Sequence, residues 1–294
     1  MKKTYPVFPG ASLSLVEQTG ATAPKEHSHL HPQAAALEIN YCSSGRLGWH
    51  MQNNTTVYLG NGDLSINALS CCFNSSMDFP LGHYTGIQVI LDFDILLENP
   101  PSVWTDLKPD RAALKRQLAY FKMPLSLPSS PEIQQIFKGL SLVPEKLRLP
   151  YYRLKIQELL FFLLTSDFSQ KKEVNPYQSQ QAELMKTIHE YLTQNLDRRI
   201  TIDALSQKYL VNTSTLKEVF KGVYGQPIAS YMKEYRIRHA MELLRTTDSS
   251  IADIARQIGY ESQSKFSSAF REYAGVLPTE YRKINAAPPV AFND

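Results

Sequence analysis

Cysteine is scarce in this chain, with three in 294 residues: Cys42, Cys71 and Cys72. The number is odd, no CxxC spacing occurs and two of the three are adjacent, so neither a disulfide framework nor a cysteine zinc cluster is indicated. They read as reduced thiols in a core, with redox sensing by Cys71 and Cys72 as the alternative, which needs exposure and a lowered pKa. Long apolar runs are also missing. The longest, LLFFLL at 159–164, is far too short to span a bilayer, and MKKTYPVFPGAS at the start has two lysines but no apolar stretch behind them. Neither export nor membrane insertion is expected, and the expected location is the cytoplasm. A strong charge of one sign is lacking too, because the formal net charge is only +3.

What is present suits two globular domains: 43% hydrophobic and 20% charged residues. The small positive excess is unevenly placed. Residues 196–283 hold 14 basic against 10 acidic side chains, and the remainder holds 17 against 18. That balance is modest for a phosphate-binding surface and does not by itself argue for one.

The same region contains one pattern twice. ITIDALSQKYLVNTSTLKEVFKGVYG begins at Ile200, and SIADIARQIGYESQSKFSSAFREYAG begins at Ser250. Ile202, Leu205 and Tyr209 answer Ile251, Ile254 and Ile258 at a spacing of 49, while Leu216, Phe220, Gly225 and Tyr231 answer Phe266, Phe270, Gly275 and Tyr281 at 50. One residue is therefore inserted in the second internal turn. In the second copy the apolar residues Ile251, Ile254, Ala255 and Ile258 recur at helical spacing, Gly259 permits a sharp exit, and Ser262 is placed to cap a new helix. That helix keeps Phe266, Ala269, Phe270 and Tyr273 on one face. Each copy thus reads as helix, tight turn and second helix, the outer face of which fits the major groove of DNA. Between the copies, Pro227 opens a segment whose Ile228, Tyr231, Met232, Tyr235, Ile237, Ala240, Leu243 and Leu244 suit one long amphipathic helix.

The run from about Ile200 to Lys283 resembles the DNA-binding domain of the AraC/XylS family of bacterial transcription regulators. The residues that carry the likeness are Ile251 to Ala255, Gly259, Tyr260, Ser262 to Ser264, Phe266, Phe270, Gly275, Pro278 and Glu280 to Arg282. The resemblance implies a sequence-specific regulator of transcription, not an enzyme, with double-stranded DNA as partner and RNA polymerase as a second partner if it activates.

The first recognition helix is expected from Thr213 to Lys221. Leu216, Val219 and Phe220 face inward, which leaves Ser214, Thr215, Lys217, Glu218 and Lys221 outward. By the resemblance, Ser214, Lys217 and Glu218 occupy positions that meet base edges. Lysine can donate to guanine and glutamate can accept from cytosine, while Lys221 and Thr215 suit phosphates. In the second copy Gln263, Ser264, Ser267 and Ser268 fall outward with Lys265 and Arg271 flanking, and Gln263 has the bidentate chemistry that adenine accepts. Short serines point to binding through phosphate and shape. Leu210 stands where the family commonly has a turn glycine, and Ser268 where a long side chain is frequent.

The first 94 residues carry strand signals at 12–16, 35–41, 48–52, 55–59, 63–67 and 86–93, separated by turn residues. Helical patterns follow at 110–121, 131–140 and 144–168, the last apolar on more than one face. Packing on the sheet is the expectation for that helix, with a homodimer seam as the alternative. The expected fold class is α+β: a cupin-like β-barrel at 1–168 with helices of its own on its C-terminal side, a linker at 169–181, an all-α domain with two helix-turn-helix motifs at 182–284, and a disordered tail at 285–294. The barrel resembles the effector domain of AraC-type regulators, which implies a small-molecule effector. Candidate effector-binding residues are His31, Tyr41, Arg46 and Trp49, an aromatic and polar mixture suited to a small cavity. No cofactor is expected. The alternative is a cupin-type metalloenzyme or metal sensor fused to a DNA-binding domain, in which His29, His31, Glu38 and His83 would hold a divalent ion. A constitutive activator that senses through a protein partner is a third reading.

Overall fold

The computed structural model describes residues 1–20, 36–51, 53–69, 76–101, 125–168, 174 and 176–285. The chain falls into two compact units, Met1–Gln180 and Gln181–Asp294.

The first unit contains ten described strands: β1 (Lys2–Phe8), β2 (Ala11–Thr19), β3 (Ala36–Gly45), β4 (Leu47–His50), β5 (Thr55–Leu59), β6 (Leu64–Ala68), β7 (Ser76–Asp78), β8 (His83–Asp92), β9 (Leu125–Leu127) and β10 (Tyr177–Gln178). A large sheet runs β1-β2-β8-β3-β6-β9 and a small one β10-β5-β4-β7, with every pairing antiparallel. The expected closed barrel is therefore corrected: among the described residues no ladder joins the two sheets, and both are open.

Strict alternation gives the large sheet two unlike faces. Leu37, Ile39 and Tyr41 of β3, Leu64 and Ile66 of β6 and Ile87, Val89 and Leu91 of β8 pack with Leu125 and Leu127 into one apolar core. Two helices complete it, α2 (Pro131–Phe137) and α3 (Glu145–Thr165), through Ile133, Phe137, Tyr152, Ile156, Leu159 and Leu160. A preceding short helix, α1 (Phe93–Glu98), contributes Phe93 and Leu96. Each such side chain contributes about 1.5–3 kcal/mol by leaving water. α2 starts where Ser130 accepts from the Ile133 amide and Pro131 supplies the first turn. On α3 the expected packing on the sheet holds for one face only. One face enters the core, while Leu147, Leu154 and Phe161, spaced by seven residues, stay 58%, 65% and 49% exposed. The helix expected at 110–121 lies outside the described residues.

The second unit is helical throughout: α4 (Ser179–Gln194), α5 (Ile202–Tyr209), α6 (Thr213–Tyr224), α7 (Ile228–Thr246), α8 (Ile251–Gln257), α9 (Gln263–Ala274) and α10 (Pro278–Asn285). Thr201, Asn212, Ser250 and Ser262 each cap a helix by accepting from an amide three residues on. Gly225 and Gly275 end α6 and α9 in the left-handed region. α7 serves both halves. Tyr231 near its start meets Phe220 and Tyr224, with ring centroids 5.7 and 5.0 Å apart. Its later Ile237, Ala240 and Leu244 join Ile254, Ala255, Ile258, Phe266 and Phe270. Tyr273, expected on the buried face of α9, is 45% exposed. The stretch read as a linker contains β10 and the start of α4.

Candidate nucleic-acid interface

The two inner turns differ in what holds them. After α5 the chain reverses at Leu210, a non-glycine residue with φ of 51° and 93% exposure. After α8 it reverses at Gly259, φ 77°, where an added Cβ would collide with the Leu196 carbonyl at the end of the α4 region. Glycine is required there by both backbone and space. Each turn delivers the chain to a capped helix with a dry inner face: Leu216, Val219 and Phe220 on α6, Phe266 and Phe270 on α9.

The outer faces match by position. Ser214, Lys217, Glu218 and Lys221 lie at i, i+3, i+4 and i+7 on α6, and Ser264, Ser267, Ser268 and Arg271 occupy the same places on α9. All are exposed except the half-buried Ser267, and Thr215 is half-buried as well. Two candidates are engaged within the protein. Ser214 Oγ donates to the capping Asn212 Oδ1 at 2.7 Å, and Lys265 Nζ pairs with Glu261. Gln263 is the first residue of α9 and is exposed. The unit is braced behind these faces by Lys233 of α7 donating to Glu272 of α9 at 2.7 Å and by Arg236 donating to the Arg198 carbonyl at 2.9 Å.

A histidine that the sequence did not single out is half-buried beneath the first half. His189 of α4 stacks on Tyr224 at 4.7 Å and lies 2.9 Å from the Tyr231 hydroxyl. Burial lowers its pKa to about 4, so the ring is neutral, and burial raises the Tyr231 hydroxyl to about 12.

In the first unit the effector and metal candidates separate. Tyr41 stacks on Phe137 at 4.7 Å in the helix-covered core. Trp49 shares a face with Leu47, which packs with Cys42 on the opposite side of the large sheet. Tyr41 and Trp49 therefore do not share a cavity, because alternation sends neighbouring β3 residues to opposite faces. Arg46 is half-buried, and burial lowers its pKa while the Asp63 carboxylate nearby opposes that shift. Cys42 is an inert thiol, pushed up to about 12 by burial. Glu38 is buried, its carboxylate accepting from Asn67 Nδ2 at 3.3 Å and from Gln88 Nε2. Glu38 pairs with Ile90, seven residues along β8 from the exposed His83. That places the two roughly 24 Å apart at the rise of a strand, so they cannot share an ion. His29 and His31 lie outside the described residues, and among the described residues no three metal-ligating side chains cluster.

A polar row was missed. Thr4, Ser14, Gln88, Asn40, Ser65 and Ser126 are successive cross-strand partners across all six strands of the large sheet. From Ser14 onward they share a face with Glu38, Asn67 and Cys42, turned toward the apolar inner side of the small sheet. Ser65 Oγ, Ser126 Oγ, Gln88 Oε1 and Trp49 Nε1 are buried without a hydrogen-bond partner among the described residues. The signal in the sequence is a single polar residue between apolar ones, as in LSI and LSL, and it becomes a row only once register is known.

A family model described as a helix-turn-helix domain matches residues 205–284. The melibiose operon regulatory protein of Escherichia coli is 34% identical over 95 residues, 32% of this chain and 32% of that protein. The chain thus matches about a third of that relative's length. The regulatory protein SoxS of Salmonella typhimurium is 32% identical over 100 residues, 34% of this chain and 94% of its own length. The HTH-type transcriptional activator AarP of Providencia stuartii is 30% identical over 102 residues, 35% of this chain and 76% of its own length.

Proposed function

The chain belongs to the AraC/XylS family of bacterial transcription regulators, and from that premise we propose that it binds double-stranded DNA sequence-specifically and regulates transcription in response to a small molecule. The observation that carries the DNA-binding reading is the pair of matched exposed stripes on α6 and α9, each backed by a buried face and joined through α7. Lys217 and Glu218 are the base readers of the first helix and Gln263 of the second. Thr215, Lys221, Ser264, Lys265, Ser267, Ser268 and Arg271 position the protein on the backbone.

The layer between the two sheets is the seat we assign to the effector. Four buried polar atoms without partners among the described residues cost about 1–3 kcal/mol each unless something fills them. The polar row on one wall and Trp49 with Leu47 and Val57 on the other suit a ligand with one polar and one apolar face. RNA polymerase is the second macromolecular partner if the protein activates, the exposed stripe of α3 suits a homodimer contact, and the cytoplasm is the site of action. Footprinting of the full-length protein across a bacterial genome tests the reading. A short recurrent sequence upstream of a few genes is expected, and uniform, sequence-blind coverage refutes it.

A further inference from the structure

The chain leading into the helical unit is fastened to both open sheets of the first one. Val174 donates its amide to the Ser126 carbonyl on β9, the edge strand of the large sheet, at 2.7 Å. Its side chain packs against the cluster of Cys42, Leu47, Val57, Leu59, Phe79 and Tyr84 between the sheets. Three residues later the chain is on the other sheet: Tyr177 and Gln178 pair with Thr56 and Thr55 as strand β10, and the Ser179 amide donates to the Asn54 carbonyl at 2.9 Å. Val174 and Tyr177 to Ser179 thus cross the seam of the sandwich and hold its two edges.

A second observation ties this crossing to the body of the small sheet. Ser179 Oγ lies 3.2 Å from Thr56 Oγ1, Thr56 Oγ1 lies 3.0 Å from His50 Nδ1, and His50 Nε2 lies 2.8 Å from Asp78 Oδ2. In sheet order these residues stand on or next to β10, β5, β4 and β7. One hydrogen-bonded row therefore spans the whole small sheet and ends at the first residue of α4. Thr56 and Asp78 are buried, so the row lies in a low-dielectric setting where a lost partner is costly. Yet β10 is only two residues long, an edge strand with little area to hold it.

We propose that this crossing is a releasable strap that sets the free length of chain ahead of the helical unit. The proposal rests on the reading of that unit as DNA-binding. Closed, the strap anchors the chain up to Ser179. Released, the nearest described anchor before it is Phe168, which is buried in the core beside Phe162. Ten residues separate Phe168 from Ser179, so release adds at most roughly 35 Å of extended chain, about one turn of duplex DNA. A small local change in the first unit then alters which DNA geometries the second can reach, with no change in the second unit itself. The Ser126 anchor also bears a hydroxyl facing the layer assigned to the effector, which places one end of the strap where occupancy is felt.

Hydrogen exchange of the full-length protein, without ligand or DNA, tests the strap directly. Thr56→Val keeps the shape but breaks the row, and the Ser179 amide is expected to exchange about ten-fold faster, the loss of roughly one hydrogen bond, while β3 and β8 stay protected. Equal exchange at Ser179 in the two proteins overturns the strap. Should Thr56→Val lose protection in β3 as well, Ser179→Ala, which removes only the outer end of the row, carries the same comparison with a few-fold expected change. For the regulatory role, Thr56→Cys with Tyr177→Cys, a directly paired cross-strand site, is made with Cys42→Ala, Cys71→Ser and Cys72→Ser. Its affinity for a duplex selected by the wild-type protein from a random pool is read oxidised and reduced. At least a five-fold difference is expected, and equal affinities overturn that role. If wild-type selects no duplex at all, the DNA-binding reading fails instead, and the exchange result alone decides the strap.

Discussion

The two helix-turn-helix halves share a plan and divide its demands differently. The first half presents charge, with Lys217, Glu218 and Lys221 on its outer stripe, and turns on an exposed leucine in a left-handed conformation. The second presents hydroxyls, with Ser264, Ser267 and Ser268, and turns on a glycine wedged against the Leu196 carbonyl. On the proposed reading the first half discriminates bases, and it tolerates backbone strain, while the second is closely fitted to its own scaffold and has short reach.

Four tests break or sharpen that contrast. The largest effect is expected at the fitted turn: Gly259→Ala meets both a positive φ and a carbonyl and should cost about 3 kcal/mol in denaturant unfolding of the helical unit; an unchanged midpoint would show that α8 and the α4 end shift freely. Next comes acid. His189 has a folded pKa of about 4, below the ordinary histidine value, so the unfolded chain takes up the proton first. Stability is full above pH 6.5 and is lost as pH falls toward 4, on the order of 2 kcal/mol after allowance for a partly exposed ring. The loss should centre on the first half, because the buried cluster of the second, from Ile237 to Phe270, is wholly apolar. His189→Phe should flatten the pH profile of thermal unfolding. On DNA, Lys217→Ala should cost about 1–3 kcal/mol at particular base pairs, whereas Ser267→Ala should change affinity by well under ~1 kcal/mol on every sequence; equal losses at the two sites, measured by titration of variant operators, would erase the proposed division. The smallest effect is a gain. Leu210→Gly removes the left-handed strain and should stabilise the unit by about 1 kcal/mol, unless the leucine side chain is used in binding, in which case operator affinity falls as melting temperature rises.

Much of the helical unit was legible because its punctuation is chemical. Ser262, Gly225, Gly259 and Gly275 act where they stand, and Leu216, Val219, Phe220, Phe266 and Phe270 face inward as their spacing predicts, whereas Tyr273 does not. On α4 the buried residues are Ala182, Met185, Ile188 and Leu192, with Leu184 and Tyr191 half-buried. In the first unit six strands were readable from alternation, but β1 was not, since it is a mostly exposed edge interrupted by Pro6 and a bulge, nor were β7, β9 and β10, which are only two or three residues long. What sequence could not give was which residues face one another. Tyr41 and Trp49 suit the same cavity by composition yet lie on different sides of a sheet. The row from Thr4 to Ser126 depends on five separate registers, none of which leaves a trace in local order.

That row also constrains how the sheet assembles. Slide β6 by one residue and Ser65 enters the oily side against α2 and α3 while Leu64 or Ile66 faces the hydroxyls; the same reversal follows for β2, β8 or β9. Six strands thereby check one another's alignment during folding, and a mispaired intermediate is penalised on both sides at once. Replacing the row by valines would strengthen the grease of the sandwich and weaken its proofreading, so such a protein should collapse readily and settle slowly into a single pairing.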